Sequence, residues 1–167
     1  MKTLYIARHA KSSWEDFSLP DHDRPILPKG EKRTRTVGQK LKSLGEVPDL
    51  IISSTAKRAR QTANILAAEL NYPEDKIELN ENLYHAWDDK IFSELYGLNN
   101  DVNSVMIVAH NPGLTDMVNN FTEDFIYNLP TSAVAKITFL TDRWEDTNMA
   151  KYKLEFILTP KMLENSH

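Results

Sequence analysis

The chain has 167 residues, 41% of them hydrophobic, and no cysteine. That composition fits one globular domain over residues 1–167 and excludes disulfides, thiolate metal sites and a thiol nucleophile. A formal charge of −4 argues against a general nucleic-acid partner, and no apolar run approaches the roughly eighteen residues that would span a membrane. Residues 1–60 nevertheless hold 13 basic against 7 acidic residues, net +6, while residues 61–167 hold 7 against 17, net −10.

In chain order, Leu4-Tyr5-Ile6-Ala7 reads as a buried strand, and the first residues lack the apolar core and cleavage site of a signal peptide. A cytoplasmic setting is therefore expected. A polar loop with three prolines runs from Lys11 to Pro28. Lys29 to Leu44 reads as a mostly solvated helix with Val37, Leu41 and Leu44 as its apolar positions. Leu50-Ile51-Ile52 is a second strand. Ala59, Ala63, Leu66, Ala67 and Leu70 then fall on one face of a 3.6-residue period, with Ser54 or Thr55 as the expected cap. A short strand is expected near Ile77–Leu79, a short helix over Ile91–Leu98 and a buried strand over Val105–Ala109. Asn111-Pro112 supplies an N-cap and a first-turn proline for a helix to about Asn120, and strands over Ala133–Leu140 and Tyr152–Leu158 close the chain. Strands alternating with helices predict a three-layer α/β/α sandwich on a mostly parallel sheet.

In open α/β sheets, ligands bind beyond the carboxyl ends of the strands. Those ends carry Arg8-His9, then Ser53-Ser54 with Arg58 one helical turn on, then His110-Asn111 at a helix start. Arginine forks match phosphate oxygens bidentately, a helix N-terminus favours an anion, and an unprotonated imidazole can attack phosphorus. No glycine-rich phosphate loop is present, and no third ligand stands at metal spacing beside the two histidines. A phosphate site needing neither cofactor nor metal is the expectation.

Three blocks carry a resemblance. Arg8-His9-Ala10 resembles the Arg-His-Gly signature of the histidine phosphatase superfamily, the phosphoglycerate-mutase-like enzymes. Ser53 to Ala63 resembles its Ser-Ser-Pro-x-x-Arg-Ala-x-Gln-Thr-Ala block, and Ala109-His110-Asn111-Pro112-Gly113 its second-histidine block. Arg8 to Trp14, Asp23 to Gly30, His110 to Leu114 and Leu129 to Ala133 resemble the short SixA-type branch, associated with phosphohistidine phosphatases.

The resemblance implies that His9 is the nucleophile and carries a phosphohistidine, that Arg8 and Arg58 bind phosphoryl oxygens, and that His110 completes the pocket. Three departures accompany it. Ala10 stands for the usual glycine. Lys11 and Glu15 stand where mutase-like members often have Glu and Asn, so that Lys11 is a candidate phosphate donor. The family's proton-donor stretch, Leu-Asn-Glu-x-x-Tyr-Gly, aligns without a gap on Leu79 to His85 and points to Glu81; a shifted register points to His85. The expected function is a cofactor-independent phosphatase acting on a phosphohistidine protein or a small phosphoester. A mutase and a non-catalytic phosphate-binding module are the alternatives. The basic residues around the first helix (Lys29, Lys32, Arg33, Arg35, Lys40, Lys42) read as solvating charge or as guidance for an acidic substrate.

Overall fold

The computed structural model describes residues 1–164. The sheet strands are β1 (Lys2–Arg8), β2 (Leu50–Ser53), β3 (Glu78–Leu79), β4 (Ser104–Ala109), β5 (Val134–Phe139) and β6 (Tyr152–Leu158), in the spatial order β3-β2-β4-β1-β5-β6. β1 to β4 are mutually parallel, and β5 pairs antiparallel with both β1 and β6. The helices are α1 (Pro28–Ser43), α2 (Lys57–Glu69), α3 (Asp88–Tyr96), α4 (Gly113–Asn119) and α5 (Pro160–Glu164).

The two-residue period of the central strands sorts their side chains into two cores. Leu4 and Ile6 of β1, with Val105 and Ile107 of β4, pack against Ile91 and Leu95 of α3 and Leu114, Met117 and Val118 of α4. Tyr5 and Ala7, with Met106 and Val108, pack against Val37 and Leu41 of α1 and Ala59, Ala63, Leu66 and Ala67 of α2. Helices thus cover both faces, giving the α/β/α sandwich. Each such fully buried large aliphatic side chain contributes roughly 1.5–3 kcal/mol. β1 and β4 are neighbours whose chains leave to opposite faces, β1 towards α1 and β4 towards α4. The crevice at their carboxyl ends is the topological switch point of the sheet, where a ligand fits.

Several elements differ in detail from the sequence reading. The buried face of α1 is Gly30, Thr34, Val37, Gly38 and Leu41, while Leu44 lies past the helix and is exposed. Small residues let α1 approach its neighbours, a packing role that hydrophobic periodicity does not register. α2 has Ala56 in its cap position and no side-chain cap; Ser54 Oγ only accepts from Ala56 N at 3.3 Å, and Thr55 does not cap. α3 starts at Asp88, a turn before Ile91, with Asp88 and Asp89 in the first turn, where carboxylates favour a helix N-terminus. α4 starts at Gly113 with Pro112 in the cap position, so Pro112 is not its first helical residue. Asn111 still caps, because its Oδ1 accepts from Thr115 N at 3.2 Å and from Thr115 Oγ1 at 2.9 Å.

The loop between β1 and α1 is ordered. Ser13 N donates to the Pro25 carbonyl and Leu27 N to the Lys11 carbonyl, so residues 11–27 double back over the sheet edge. Gly30 makes this possible, since a Cβ there would come within 2.9 Å of the Lys11 carbonyl oxygen and 3.1 Å of Ala10 Cβ. The same geometry accounts for Ala10. Its methyl occupies space that Gly30 leaves open, so alanine fits at this position.

Candidate active site

A cleft of about 590 Å³ opens at the carboxyl ends of β1, β2 and β4. Arg8, His9, Lys11, Arg58, His85 and His110 all line it, together with Ser12, Trp14, Asp21, Arg24, Arg33, Asn111 and Thr131. The structure therefore brings together the strand-end residues anticipated from sequence. It does not bring in Glu81. That residue sits on a single 3-10 turn, Glu81–Leu83, and lines a neighbouring depression with Trp87, Lys90 and Glu94. His85 lines both hollows and has a left-handed backbone, φ 57°. Glycine is the residue that ordinarily fills such a position, so the backbone supports the gapless alignment of Leu79–His85 even though Glu81 lies outside the cleft.

His9 follows the last residue of β1 and lies at the floor of the cleft, 8% exposed. Its Nδ1 is 2.7 Å from the Ala10 carbonyl oxygen. A carbonyl only accepts, so Nδ1 carries the hydrogen and Nε2 keeps its lone pair. Burial, with Arg58, Arg8 and Arg24 nearby, pushes His9 down to about 4. The ring is therefore neutral at pH 7.

His110 follows β4, its ring centroid 5.1 Å from that of His9. Its Nε2 is 2.7 Å from Ser54 Oγ, at the end of β2. Ser54 Oγ also accepts from Ala56 N; when its hydroxyl donates to His110 Nε2, the ring's own hydrogen is on Nδ1. Burial first, then the neighbouring His9 and Arg58, lower His110 to about 3. Gly113 helps to place this histidine. A Cβ there would overlap the Ala86 carbonyl oxygen, so glycine lets α4 start close under the 80s loop.

Arg8 donates through Nη1 to the Leu129 carbonyl at 3.0 Å, and Arg58 through Nη1 to the Asp21 carbonyl at 2.8 Å and through Nη2 to Asp21 Oδ2 at 3.1 Å. Among the described residues, three buried side-chain polar atoms have no hydrogen-bond partner: Arg8 Nε, Arg58 Nε and His110 Nδ1. All three belong to residues that line the cleft. Buried polar groups are normally satisfied, so two unpaired arginine Nε donors and an unpaired imidazole nitrogen in one cleft fit a site built for an anion.

Sequence reasoning missed several members of this site. Asp21 is paired with Arg58, with Arg24 Nε at 3.1 Å and with the Tyr84 hydroxyl at 2.5 Å. Burial would raise its carboxyl, but Tyr84, Arg58 and Arg24 hold it down at about 2. Arg24 also donates to Ser12 Oγ at 2.8 Å, and its guanidinium lies 3.4 Å over the Trp14 ring. Tyr84 stacks on His85 with ring centroids 3.9 Å apart. Arg24 stood inside a matched block and Tyr84 is the tyrosine of the aligned Leu79–His85 stretch, but Asp21 gave no periodic or spacing signal of its role. Lys11 is exposed and Glu15 is not among the lining residues.

Comparison with known proteins gives the family. Residues 4–113 match the family model described as the histidine phosphatase superfamily (branch 1). An uncharacterised chloroplastic protein of Arabidopsis thaliana is 31% identical over 95% of this chain and 78% of its own length. A 2,3-bisphosphoglycerate-dependent phosphoglycerate mutase of Parvibaculum lavamentivorans is 32% identical, but over 59% of this chain and 46% of the mutase. Among solved structures, the candidate phosphohistidine phosphatase SixA of Agrobacterium tumefaciens is 25% identical with a TM-score of 0.79, covering 95% of this chain and 98% of that one. The protein histidine phosphatase SixA in complex with tungstate has the same fold, with a TM-score of 0.81 at 22% identity over 96% of this chain and 99% of that one. The chain belongs to the histidine phosphatase superfamily, in its SixA-type branch, and is a phosphatase.

Proposed function

We propose that the protein hydrolyses phosphohistidine through a covalent phosphohistidine on His9. The observation that carries this reading is the state of His9. Its Nδ1 is tied to a carbonyl, its Nε2 is unprotonated, and the cleft it lines holds three residues with a buried, unpaired polar atom. His9 Nε2 attacks phosphorus in line and the substrate's bond to phosphorus breaks. Arg8, Arg58 and the His110 Nδ1 hydrogen bind the oxygens on which charge develops, and Lys11 at the rim is a fourth donor. Water then attacks the phosphoenzyme, releasing phosphate and returning the electron pair to Nε2.

Substrate class follows from what faces the leaving group. An alkoxide needs a proton as it departs, and the natural donor is a carboxylic acid. Among the described residues the one carboxylate lining the cleft, Asp21, is held ionised, and Glu81 lies in the adjacent hollow. An imidazole leaves phosphorus without a proton from the enzyme when its other nitrogen is already protonated. The likeness to SixA structures supports the same substrate. His85, on the lip of the cleft, is the group placed to exchange a proton with a departing group that does need one. The non-catalytic module gives way to a phosphatase, since the chain belongs to a phosphatase family.

A panel of N-phosphoimidazole, phosphoramidate, sugar phosphates and phosphotyrosine, assayed on the wild type and on His9→Ala, tests the proposal. The expected pattern is turnover of the phosphorus–nitrogen substrates, weak turnover of sugar phosphates and none in the variant. Preference for sugar phosphates would favour a phosphomonoesterase, and phosphate movement between hydroxyls of one sugar acid a mutase.

A further inference from the structure

Asp21 is a paradox in a phosphate site. Arg8, Lys11, Arg24, Arg33 and Arg58 all line the same cleft, and among the described residues Asp21 is the only acid lining it. A carboxylate there opposes an incoming anion and takes up donors of Arg58 that could otherwise serve phosphoryl oxygens. Its position shows what it can favour instead. His9 attacks from the floor, and in-line displacement sends the leaving group to the opposite side of phosphorus, towards the mouth. The Arg58 side chain is 7% exposed and that of Asp21 39%, so in the cleft wall the carboxylate is the more solvent-facing member of the pair. Oδ2 accepts from both Arg58 and Tyr84, while Oδ1 accepts from Arg24 alone. A carboxylate has about four acceptor positions, so one on Oδ1 is left for a donor from the substrate.

We propose that Asp21 is a specificity-determining residue that selects substrates whose leaving group carries positive charge, with N-phosphorylated imidazolium as the type case. This rests on the phosphohistidine reading above and extends it to a named side chain. In the first step the His9 Nε2 lone pair forms a bond to phosphorus. The phosphorus–nitrogen bond of the substrate breaks, and its pair returns to the imidazolium ring. The ring's other N–H, facing Asp21, keeps its proton, so the product leaves as neutral imidazole. No proton is required from the protein. Arg24 and Tyr84 hold the carboxylate in place. The Arg24 guanidinium is itself fixed between the Trp14 ring and the Ser12 hydroxyl.

The test compares kcat/KM for phosphoramidate, whose leaving nitrogen is protonated, with kcat/KM for p-nitrophenyl phosphate, whose leaving group is an anion. Wild type, Asp21→Asn and Tyr84→Phe are assayed, with thermal melts to establish that each is folded. Asp21→Asn keeps an acceptor for Arg58 and removes the charge; the phosphoramidate-to-aryl ratio should fall by about tenfold or more. Tyr84→Phe loosens the carboxylate without neutralising it and should keep the wild-type ratio. An unchanged ratio in Asp21→Asn overturns the proposal. So does a Tyr84→Phe ratio that falls as far as that of Asp21→Asn, because loss of position rather than of charge would then explain both. A wild type that turns over the aryl ester but no phosphoramidate removes the phosphohistidine reading itself, an outcome distinct from either.

Discussion

His110 Nε2 lies 2.7 Å from Ser54 Oγ, so the second histidine of the site is oriented by a hydroxyl from a different strand. Ser54 is fully buried, and its loss would leave the Nε2 side of the ring unpaired. Breaking such a bond costs about 1–3 kcal/mol, which corresponds to roughly ten- to a hundredfold in rate if it is felt in the transition state. Ser54→Ala should therefore lower kcat by that factor on any accepted substrate, and Ser54→Thr should restore part of it. Steady-state kinetics on both variants decide the point.

Arg58 is expected to act through its fork and not through charge alone. Its two terminal nitrogens are held by Asp21, and its Nε is buried and unpaired. A lysine supplies a point charge but no planar set of donors. Arg58→Lys should therefore resemble Arg58→Ala, with a loss of roughly a hundredfold in kcat/KM and weaker inhibition by inorganic phosphate. Recovery of near wild-type kinetics by lysine would show that charge suffices.

The two histidines make stability depend on pH. Burial lowers His9 to about 4 and His110 to about 3, against about 6.5 for an unfolded imidazole. The unfolded chain thus binds protons that the folded chain refuses. Their contribution is complete above about pH 6.5 and is lost as pH falls towards 4 and then 3. Urea denaturation of the wild type at pH 7 and pH 4.5 should show lower stability at the acid pH, by more than in His9→Ala. Imidazole NMR should place the His9 titration near 4; a midpoint near 6.5 would contradict the buried, neutral nucleophile.

Gly113 is a packing requirement of the site. Any side chain there meets the Ala86 carbonyl oxygen. Gly113→Ala should destabilise the fold by about 1–3 kcal/mol, as overpacking does, and should lower activity because α4 begins three residues after His110. Thermal unfolding and activity of the variant check both halves.

Much of the fold was legible because two periodicities dominate it. Leu4 to Ala7 and Val105 to Ala109 are apolar on both faces, as central parallel strands must be, and the Ala59–Leu70 stripe is buried along its length. The site's core, Arg8, His9, Arg58 and His110, was legible because strand ends of a parallel sheet converge on one edge, and the family blocks reinforced this. What was not legible depends on long-range contact. Asp21 reaches Arg58 and Tyr84 from a loop with no repeating pattern, and the buried face of α1 uses Gly30, Thr34 and Gly38, which no hydrophobic scale marks. Glu81 differs in the opposite sense. It matches the motif in register, yet the 3-10 turn that carries it faces the adjacent hollow.

The proposed mechanism turns on transfer of the phosphoryl group to His9 Nε2. Rapid acid- and base-quench of the enzyme with ³²P-labelled phosphoramidate, followed by peptide mapping, tests it most directly. A base-stable, acid-labile label is expected on the peptide that contains His9, and none in His9→Ala. Turnover by wild type with no label on that peptide, or wild-type turnover retained by His9→Ala, would contradict it.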